Sequence, residues 1–139
     1  MASDIWGLVT GEPVIVQAKV DASTSAITQF DYLAMGTAGY VQKAVAGSTI
    51  VGVAMESCGV PGADGNITIK MDVSEETVYR RPVGNGMLTQ AMCYTTCDIY
   101  TSRSIDVAAS TDDCVLIVEC DVANQIALVQ NRYTRAGTV

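Results

Sequence analysis

The sequence predicts an all-β domain, a small sandwich or barrel of about eight short strands. Residues 66–73 alternate between apolar and polar side chains, which is the period of a half-buried strand. Glycine-rich turns separate further short apolar runs, and no capped amphipathic helix interrupts them. The alternation assigns four side chains to a buried face and three to the opposite face: Ile67, Ile69, Met71 and Val73 against Thr68, Lys70 and Asp72.

The chain begins with a predicted extended arm, residues 1–10, which carries the only tryptophan, Trp6. A large aromatic side chain on an arm gains binding energy when a partner pocket buries it, and the alternative is that Trp6 packs on its own domain. The first strand is predicted at residues 14–20, after Pro13, whose position at the strand start costs no ladder hydrogen bond. The predicted buried face of this strand comprises Val14, Val16, Ala18 and Val20.

Four further strands are predicted in the middle of the chain, at residues 27–35, 40–44, 50–55 and 66–73. A glycine-containing turn separates the second of these from the third, so the two are predicted to pair as a hairpin. Pro-Gly and Asp-Gly pairs within residues 59–65 predict the turn before the last, because glycine adopts positive φ without a steric penalty.

The second half of the chain contains two strong strand signals and one ambiguous region. A strand is predicted at residues 78–81, whereas residues 87–100 fit a helix or a strand, of which we favour the strand. The serine-rich, acidic residues 101–113 are predicted to form a loop. The β-branched run at residues 114–120 predicts a strand that is buried on both faces, with residues 124–133 as its hairpin partner.

The length of 139 residues suffices for one domain, predicted at residues 11–130 between the N-terminal arm and a C-terminal tail, residues 131–139. Hydrophobic residues make up 49% of the chain and charged residues 17%, below the roughly 25% of an average domain. So few charges suit a protein whose surface is covered by partners, and equally a compact β domain with an uncharged polar surface.

The net charge of -7 predicts a surface that repels phosphate backbones and anionic lipids, so no nucleic-acid or membrane partner is expected. The N-terminus lacks a secretory signal pattern, which predicts synthesis in a cytoplasm. All acidic residues lie between Asp4 and Asp121, and the C-terminal tail holds Arg132 and Arg135. This tail is interpreted as docking on an acidic neighbour or as two solvated arginines on a frayed terminus.

The chain contains no histidine, which removes Ser-His and Cys-His nucleophile pairs and histidine metal sites. The adjacent acids Asp112 and Asp113, like Glu75 and Glu76, lie in predicted loops, where paired carboxylates are usually solvated. No glycine-rich segment matches a dinucleotide or phosphate-binding loop. We therefore expect no enzyme activity, no cofactor and no metal. An acid-base enzyme stays open as an alternative, because the fold could bring carboxylates together that are distant in the sequence.

The odd number of cysteines allows two interpretations. In the first, the cysteines are reduced core residues. In the second, some form disulfides between subunits or within the region from Cys93 to Cys97, and at least one cysteine stays free or pairs with another chain. The spacing of Cys114 and Cys120 across one strand fits a zinc site poorly. The candidate disulfide residues are Cys58, Cys93, Cys97, Cys114 and Cys120.

The order of short strands resembles that of the capsid cement, or head decoration, proteins of tailed bacteriophages. The resemblance rests on Gly-Glu-Pro-Val-Ile-Val at residues 11–16, Gly-Tyr-Val-Gln-Lys-Ala at residues 39–44, Ile-Val-Gly-Val-Ala at residues 50–54, and the alternating strand ending at Val73. It implies a β-rich structural virion protein that binds the major capsid protein and copies of itself. Such proteins assemble as homotrimers on the outer surface of an icosahedral head, at three-fold and quasi-three-fold positions.

Both chain ends are predicted to grip these partners. The predicted partner-binding residues are Trp6, Arg132, Tyr133 and Arg135. The chief alternative is a surface-exposed β-sandwich adhesin that binds carbohydrate or a receptor. Aromatic residues make up only 6% of the chain and its tyrosines are scattered, whereas a carbohydrate-binding face needs aromatic side chains side by side.

Overall fold

The computed structural model describes residues 7–133, and within this range the chain is almost entirely β. Its strands in order are β1 (Leu8–Thr10), β2 (Ile15–Lys19), β3 (Tyr32–Met35), β4 (Val41–Lys43), β5 (Gly52–Ala54), β6 (Thr68–Asp72), β7 (Val78–Asn85), β8 (Thr96–Ile99), β9 (Ile105–Asp106), β10 (Val115–Asp121) and β11 (Ile126–Asn131). The predicted fold class is confirmed. The structure has more strands than the sequence predicted. Several of them contain only two or three residues, which is too short for a recognisable pattern. Among residues 7–133, no helix is long and apolar enough to cross a bilayer.

The first sheet is a small five-stranded barrel in the order β2-β6-β5-β3-β4, with antiparallel neighbours. A single parallel bridge between Val20 and Val41 joins its two end strands. Every strand of the barrel contributes to one apolar cluster, because alternate residues point to the same side. The cluster comprises Ala18, Val20, Ile27, Leu33, Val41, Val51, Ala54, Ile69 and Met71.

The second sheet has the order β1-β7-β11-β10-β8-β9, and β9 also pairs in parallel with β7. A larger core lies between the two sheets and draws side chains from both. Tyr32 and Val53 of the barrel pack there with Tyr79, Ile117 and Val129 of the second sheet. This shared layer joins the two sheets into one body.

The hairpin predicted near the C-terminus is confirmed, because β10 pairs with β11 from Val115↔Asn131 to Asp121↔Ile126. The hairpin predicted between β4 and β5 is wrong. Strand β3 lies between them, and Leu33 pairs with Lys43 on one side and with Gly52 on the other. Residues 44–51 span the width of β3 before β5 begins, so adjacency in sequence does not become adjacency in the sheet.

Three further details differ from the prediction. Strand β10 is not buried on both faces, because Glu119 and Asp121 in its second half are exposed. The predicted loop at residues 101–113 contains β9, and the ambiguous region begins with a 3-10 turn before β8. In β6 the alternation holds for Ile69 and Met71, but Asp72, predicted on the polar face, is fully buried.

Paired structure extends to both predicted domain boundaries. Leu8–Thr10, assigned to the arm, pairs antiparallel with β7, so the body of the fold includes Leu8. At the other end, the Arg132 N–H donates to the Cys114 carbonyl at 2.8 Å, and the Tyr133 N–H donates to Glu75 at 2.7 Å. Trp6 and Arg135 lie outside the described residues.

Candidate interaction surface

The most unusual surface of the described chain is the N-terminal end of β2. Val14 is 55% exposed, Ile15 44% and Val16 38%. Successive residues of a strand point to opposite faces, so both faces of this end are uncovered. The predicted burial of Val14 and Val16 is therefore wrong, and only Ala18 and Val20 of that face are buried.

The register of β2 explains which edge of the strand is open. The Val73 N–H donates to the Val14 carbonyl, and the Val20 N–H donates to the Ile67 carbonyl, both at 2.9 Å. Even-numbered residues of β2 thus bond to β6, so the N–H and C=O groups of the odd-numbered residues point the other way. Along that edge the described chain provides one bridge, at Val20. The backbone edge from Ile15 to Gln17, before this bridge, is therefore available to another strand.

A groove of about 560 Å³ runs beside this edge, between β2 and the connection from β3 to β4. Its lining is mostly apolar, and Lys19 is the only charged residue in it. The apolar lining residues are Val16, Ala18, Met35, Ala38, Tyr40, Val41, Val51 and Met71. We define the exposed end of β2 together with this groove as the β2 surface. It offers apolar contact area and backbone hydrogen-bonding groups side by side.

A second depression lies on the outer face of the second sheet. It has a volume of about 300 Å³ and is lined by Arg80, Glu119, Asp121, Ile126 and Leu128. Charges of both signs face this depression, and charged groups are costly to dehydrate unless a partner pairs each of them. The β2 surface, which is apolar, is the better candidate for an interface.

Two acidic side chains of the described chain, Asp31 and Asp72, are fully buried, and Asp31 ties the two sheets together. Its carboxylate lies 3.4 Å from Lys43 Nζ and 3.0 Å from an Arg103 guanidinium nitrogen. It also accepts hydrogen bonds from the Thr28 N–H and the Ser102 hydroxyl. Asp31 is fully buried and its acceptor positions are occupied by the chain itself, so it serves the fold.

The second buried acid, Asp72, belongs to an aromatic and charged cluster in the layer between the sheets. It accepts hydrogen bonds from the Tyr79 hydroxyl at 2.6 Å and from the Val14 N–H at 2.9 Å. The guanidinium of Arg81, also fully buried, donates to the Phe30 carbonyl at 2.7 Å and lies 4.1 Å from the centre of the Tyr32 ring. We call Asp72, Tyr79, Arg81 and Tyr32 the buried cluster.

Burial dominates the chemistry of this cluster. It raises the pKa of Tyr32 to about 12, because the phenolate would be formed without water around it. Burial also raises the pKa of Tyr79, and the hydrogen bond to Asp72 raises it further because it needs the proton. These groups are closed to solvent, so no substrate reaches them in this conformation. The sequence carried no signal for the cluster, since Asp72 occupied a polar position of a regular alternation.

The structure does not bring the two pairs of adjacent acids together into one site. The N–H groups of Asp112 and Asp113 donate to the Asp98 carboxylate, each at 2.8 Å. Glu75 accepts the hydrogen bond from Tyr133, and Glu76 is exposed. Within residues 7–133, no three side chains of histidine, cysteine, aspartate or glutamate are grouped as metal ligands.

Of the predicted partner-binding residues, two lie in the described range. Tyr133 is buried within its own domain, where its hydroxyl accepts a hydrogen bond from the Asn131 side chain at 3.1 Å. Its side chain is therefore not presented to a partner in this conformation. Arg132 is exposed. The roles of Trp6 and Arg135 stay predictions.

All five cysteines lie within the described residues, and each is a free thiol. Cys97 and Cys114 are buried in the large core, which fits the interpretation of core thiols for these two. Cys58, Cys93 and Cys120 are half-buried.

Comparison of the sequence with protein-family models finds no match, and neither does comparison with curated proteins.

Proposed function

We propose that this chain is a structural virion protein, a cement protein that binds the outer surface of an icosahedral phage head. The resemblance of its strand order to phage decoration proteins suggests this role. The observation that carries it is the β2 surface, where an apolar strand edge stands open. An open, apolar edge strand is a template for pairing with another chain.

The β2 surface supplies two kinds of binding energy to a partner. The backbone groups of Ile15 and Gln17 can extend the sheet onto a strand of a neighbour, as in β-strand addition. Burying the exposed apolar side chains adds on the order of 1 kcal/mol for each of Val14, Ile15 and Val16, since each is already partly covered. Together these contacts suit a modest interface that is repeated many times.

Repetition is what makes such contacts effective on a shell. In the proposed arrangement homotrimers occupy three-fold and quasi-three-fold positions, where each trimer bridges several copies of the major capsid protein. Once one contact forms, the others form at high effective concentration. A protein that binds the assembled shell, and not the separated subunits, stabilises the shell by linkage. The shell then resists the pressure of its packaged DNA.

The charge distribution agrees with an external position. A net charge of -7 gives the protein no attraction to packaged DNA. The adhesin alternative finds no support on the described surface. Its most exposed aromatic side chains, Tyr94 at 77% and Tyr100 at 41%, lie at opposite ends of β8. They are separated by roughly 20 Å along the chain and do not form a shared stacking platform.

Cryo-electron microscopy of two matched phage stocks tests the proposal, one with the gene for this chain intact and one with it deleted. We expect external density of this size at three-fold and quasi-three-fold positions in the first stock and none in the second. We also expect the deleted particles to release DNA at a lower temperature, and added protein to restore both properties.

Two results would contradict the proposal. One is identical heads and identical DNA-release temperatures in the two stocks. The other is the finding that the genome encoding this chain contains no major capsid gene. That finding would favour the adhesin or the enzyme alternative.

A further inference from the structure

One pair of half-buried thiols is brought together by the fold from distant parts of the sequence. Residues 94 and 95 run beside β10, where the Tyr94 N–H donates to the Ile117 carbonyl at 2.7 Å and the Ile117 N–H donates to the Thr95 carbonyl at 3.0 Å. This alignment brings Cys93 opposite the second half of β10. Its thiol donates to the Val118 carbonyl at 3.6 Å.

Cys120 follows Val118 by two residues on the same strand; burial raises the pKa of its thiol, and the nearby Cys93 thiol raises it further. The pairing of β10 with β11 is irregular between Ile117 and Glu119, next to this contact. A bulge bends a strand locally and redirects its side chains. Both cysteines remain partly accessible, as a reaction with a dissolved oxidant requires.

We propose that Cys93 and Cys120 form a reversible disulfide bond when the protein meets an oxidising environment. The bond would fasten the segment before β8 to β10 and close a loop of about 28 residues. The role does not depend on the binding of a shell, because it concerns the isolated chain. For a protein made in a cytoplasm and then released, the change of surroundings supplies the trigger.

The reaction is a thiol–disulfide exchange with a small disulfide such as oxidised glutathione. One cysteine, as thiolate, attacks a glutathione sulfur, and a mixed disulfide forms as the first glutathione thiol leaves. The second cysteine then attacks the protein sulfur of that mixed disulfide, and the second glutathione leaves. Two protein thiols are oxidised, one glutathione disulfide is reduced to two thiols, and the protons of the protein thiols pass to the leaving thiolates or to solvent.

A second pair of thiols provides an internal comparison. Cys97 pairs with Val115 across β8 and β10, so it lies next to Cys114. Burial raises the pKa of Cys97 to about 12 and that of Cys114 to about 11. Both are buried in the large core and closed to a dissolved disulfide. Proximity is therefore shared by the two pairs, whereas access distinguishes them.

The test is peptide mapping of the folded full-length chain after incubation with oxidised glutathione, without reduction. We expect one internal cross-link, between Cys93 and Cys120, while Cys97 and Cys114 stay reduced. Burial and the neighbouring Cys93 thiol raise the pKa of Cys120, so the bond should form faster at pH 8.5 than at pH 7. The oxidised chain should melt about 10 °C higher than the reduced chain.

Three variants sharpen the test. C93S and C120S should each lose the cross-link and carry a glutathione on the remaining cysteine of the pair, besides any adduct on the half-buried Cys58, whereas C97S should keep the cross-link. A cross-link that involves Cys97 or Cys114 in the folded wild-type chain would overturn the proposal. So would the absence of any internal cross-link, or a melting temperature that falls when the bond forms. The wild-type map decides the pairing even if a variant does not fold.

Discussion

The β2 surface and the buried cluster are opposite solutions to the placement of side chains. In the buried cluster, charged and phenolic groups are inside the fold, and the chain itself supplies partners such as the Tyr79 hydroxyl for Asp72. At the β2 surface, apolar side chains lie outside and the described chain covers them only in part. The buried cluster is compatible with a stable fold because other groups of the chain pair with its charged side chains. The exposed apolar side chains of the β2 surface are explained if another molecule binds there and covers them.

The comparison predicts a separation of effects. Changes in the buried cluster should alter the free energy of unfolding of the isolated chain. Changes at the β2 surface should leave that free energy nearly unchanged and alter association.

The largest expected effect is that of Arg81→Met. The guanidinium of Arg81 contacts the Tyr32 ring and the Phe30 carbonyl, and both it and Asp72 act electrostatically on Tyr79. Its removal leaves the buried Phe30 carbonyl without its charged donor and the Tyr32 ring without the cation that packs on it, so we expect the free energy of unfolding to fall by about 3 kcal/mol. Urea denaturation followed by circular dichroism measures this.

The neighbouring residue provides a matched control on the same strand. Arg80 points to the outer face, where it lines the shallow charged depression. Arg80→Met should therefore cost no more than about 1 kcal/mol. Equal losses at Arg80 and Arg81 would contradict the view that the buried cluster concentrates the electrostatic stability of the fold.

The next effect is a loss of stability in alkali, to which Tyr32 contributes together with Tyr79 and Tyr133, since burial raises the pKa of all three. The pKa of Tyr32 is raised to about 12 in the fold against 10.0 in an exposed tyrosine, so between these values the folded state holds a proton that the unfolded state releases. The stabilisation is complete below pH 10 and is lost as the pH rises towards 12, by about 2–3 kcal/mol. Buried thiols, with an ordinary pKa of 9.0, start this decline slightly earlier.

Tyr32→Phe isolates that contribution, because phenylalanine keeps a ring beside Arg81 but has no proton to lose. The difference in unfolding free energy between pH 9 and pH 12 should be smaller in the variant by the amount stated. Absorbance of ionised tyrosine, followed with circular dichroism, should show ionisation and unfolding together in the wild-type chain. An unchanged pH dependence in the variant would show that Tyr32 titrates as an exposed residue.

The sequence predicted those parts of the fold that depend on local pattern. The hairpin of β10 and β11 lies within one continuous stretch, and the alternation in β6 correctly buried Ile69 and Met71. The insertion of β3 between β4 and β5 depends on which strand competes best for an edge, and no local pattern records that competition. The burial of Asp72 likewise depends on Tyr79, which lies on the other sheet.

The sequence and the structure suggest different places for a partner interface. The sequence assigned partner binding to the chain ends, through Trp6, Arg132, Tyr133 and Arg135, whereas the uncovered apolar surface of the described chain lies on β2. Alternation in β2 suggested a buried face from Val14 onward. The alternation does not show that Val14 and Val16 stay exposed, because the strands that would have to cover them are distant in the sequence.

The smallest expected change in stability, with the largest expected change in association, belongs to Ile15→Lys. Ile15 is 44% exposed and its backbone groups point to the open edge, so a lysine there stays hydrated and should alter the unfolding free energy by no more than about 0.5 kcal/mol. A charge on an edge strand opposes pairing with another strand, so particles lacking the native protein should take up the variant poorly in a sedimentation assay. Val20→Lys, directly after the same strand but fully buried, is the control that should destabilise the isolated chain. If Ile15→Lys unfolds the chain, or if it decorates particles as well as the wild type, the β2 surface is not the interface, and the contrast with the buried cluster loses its functional meaning.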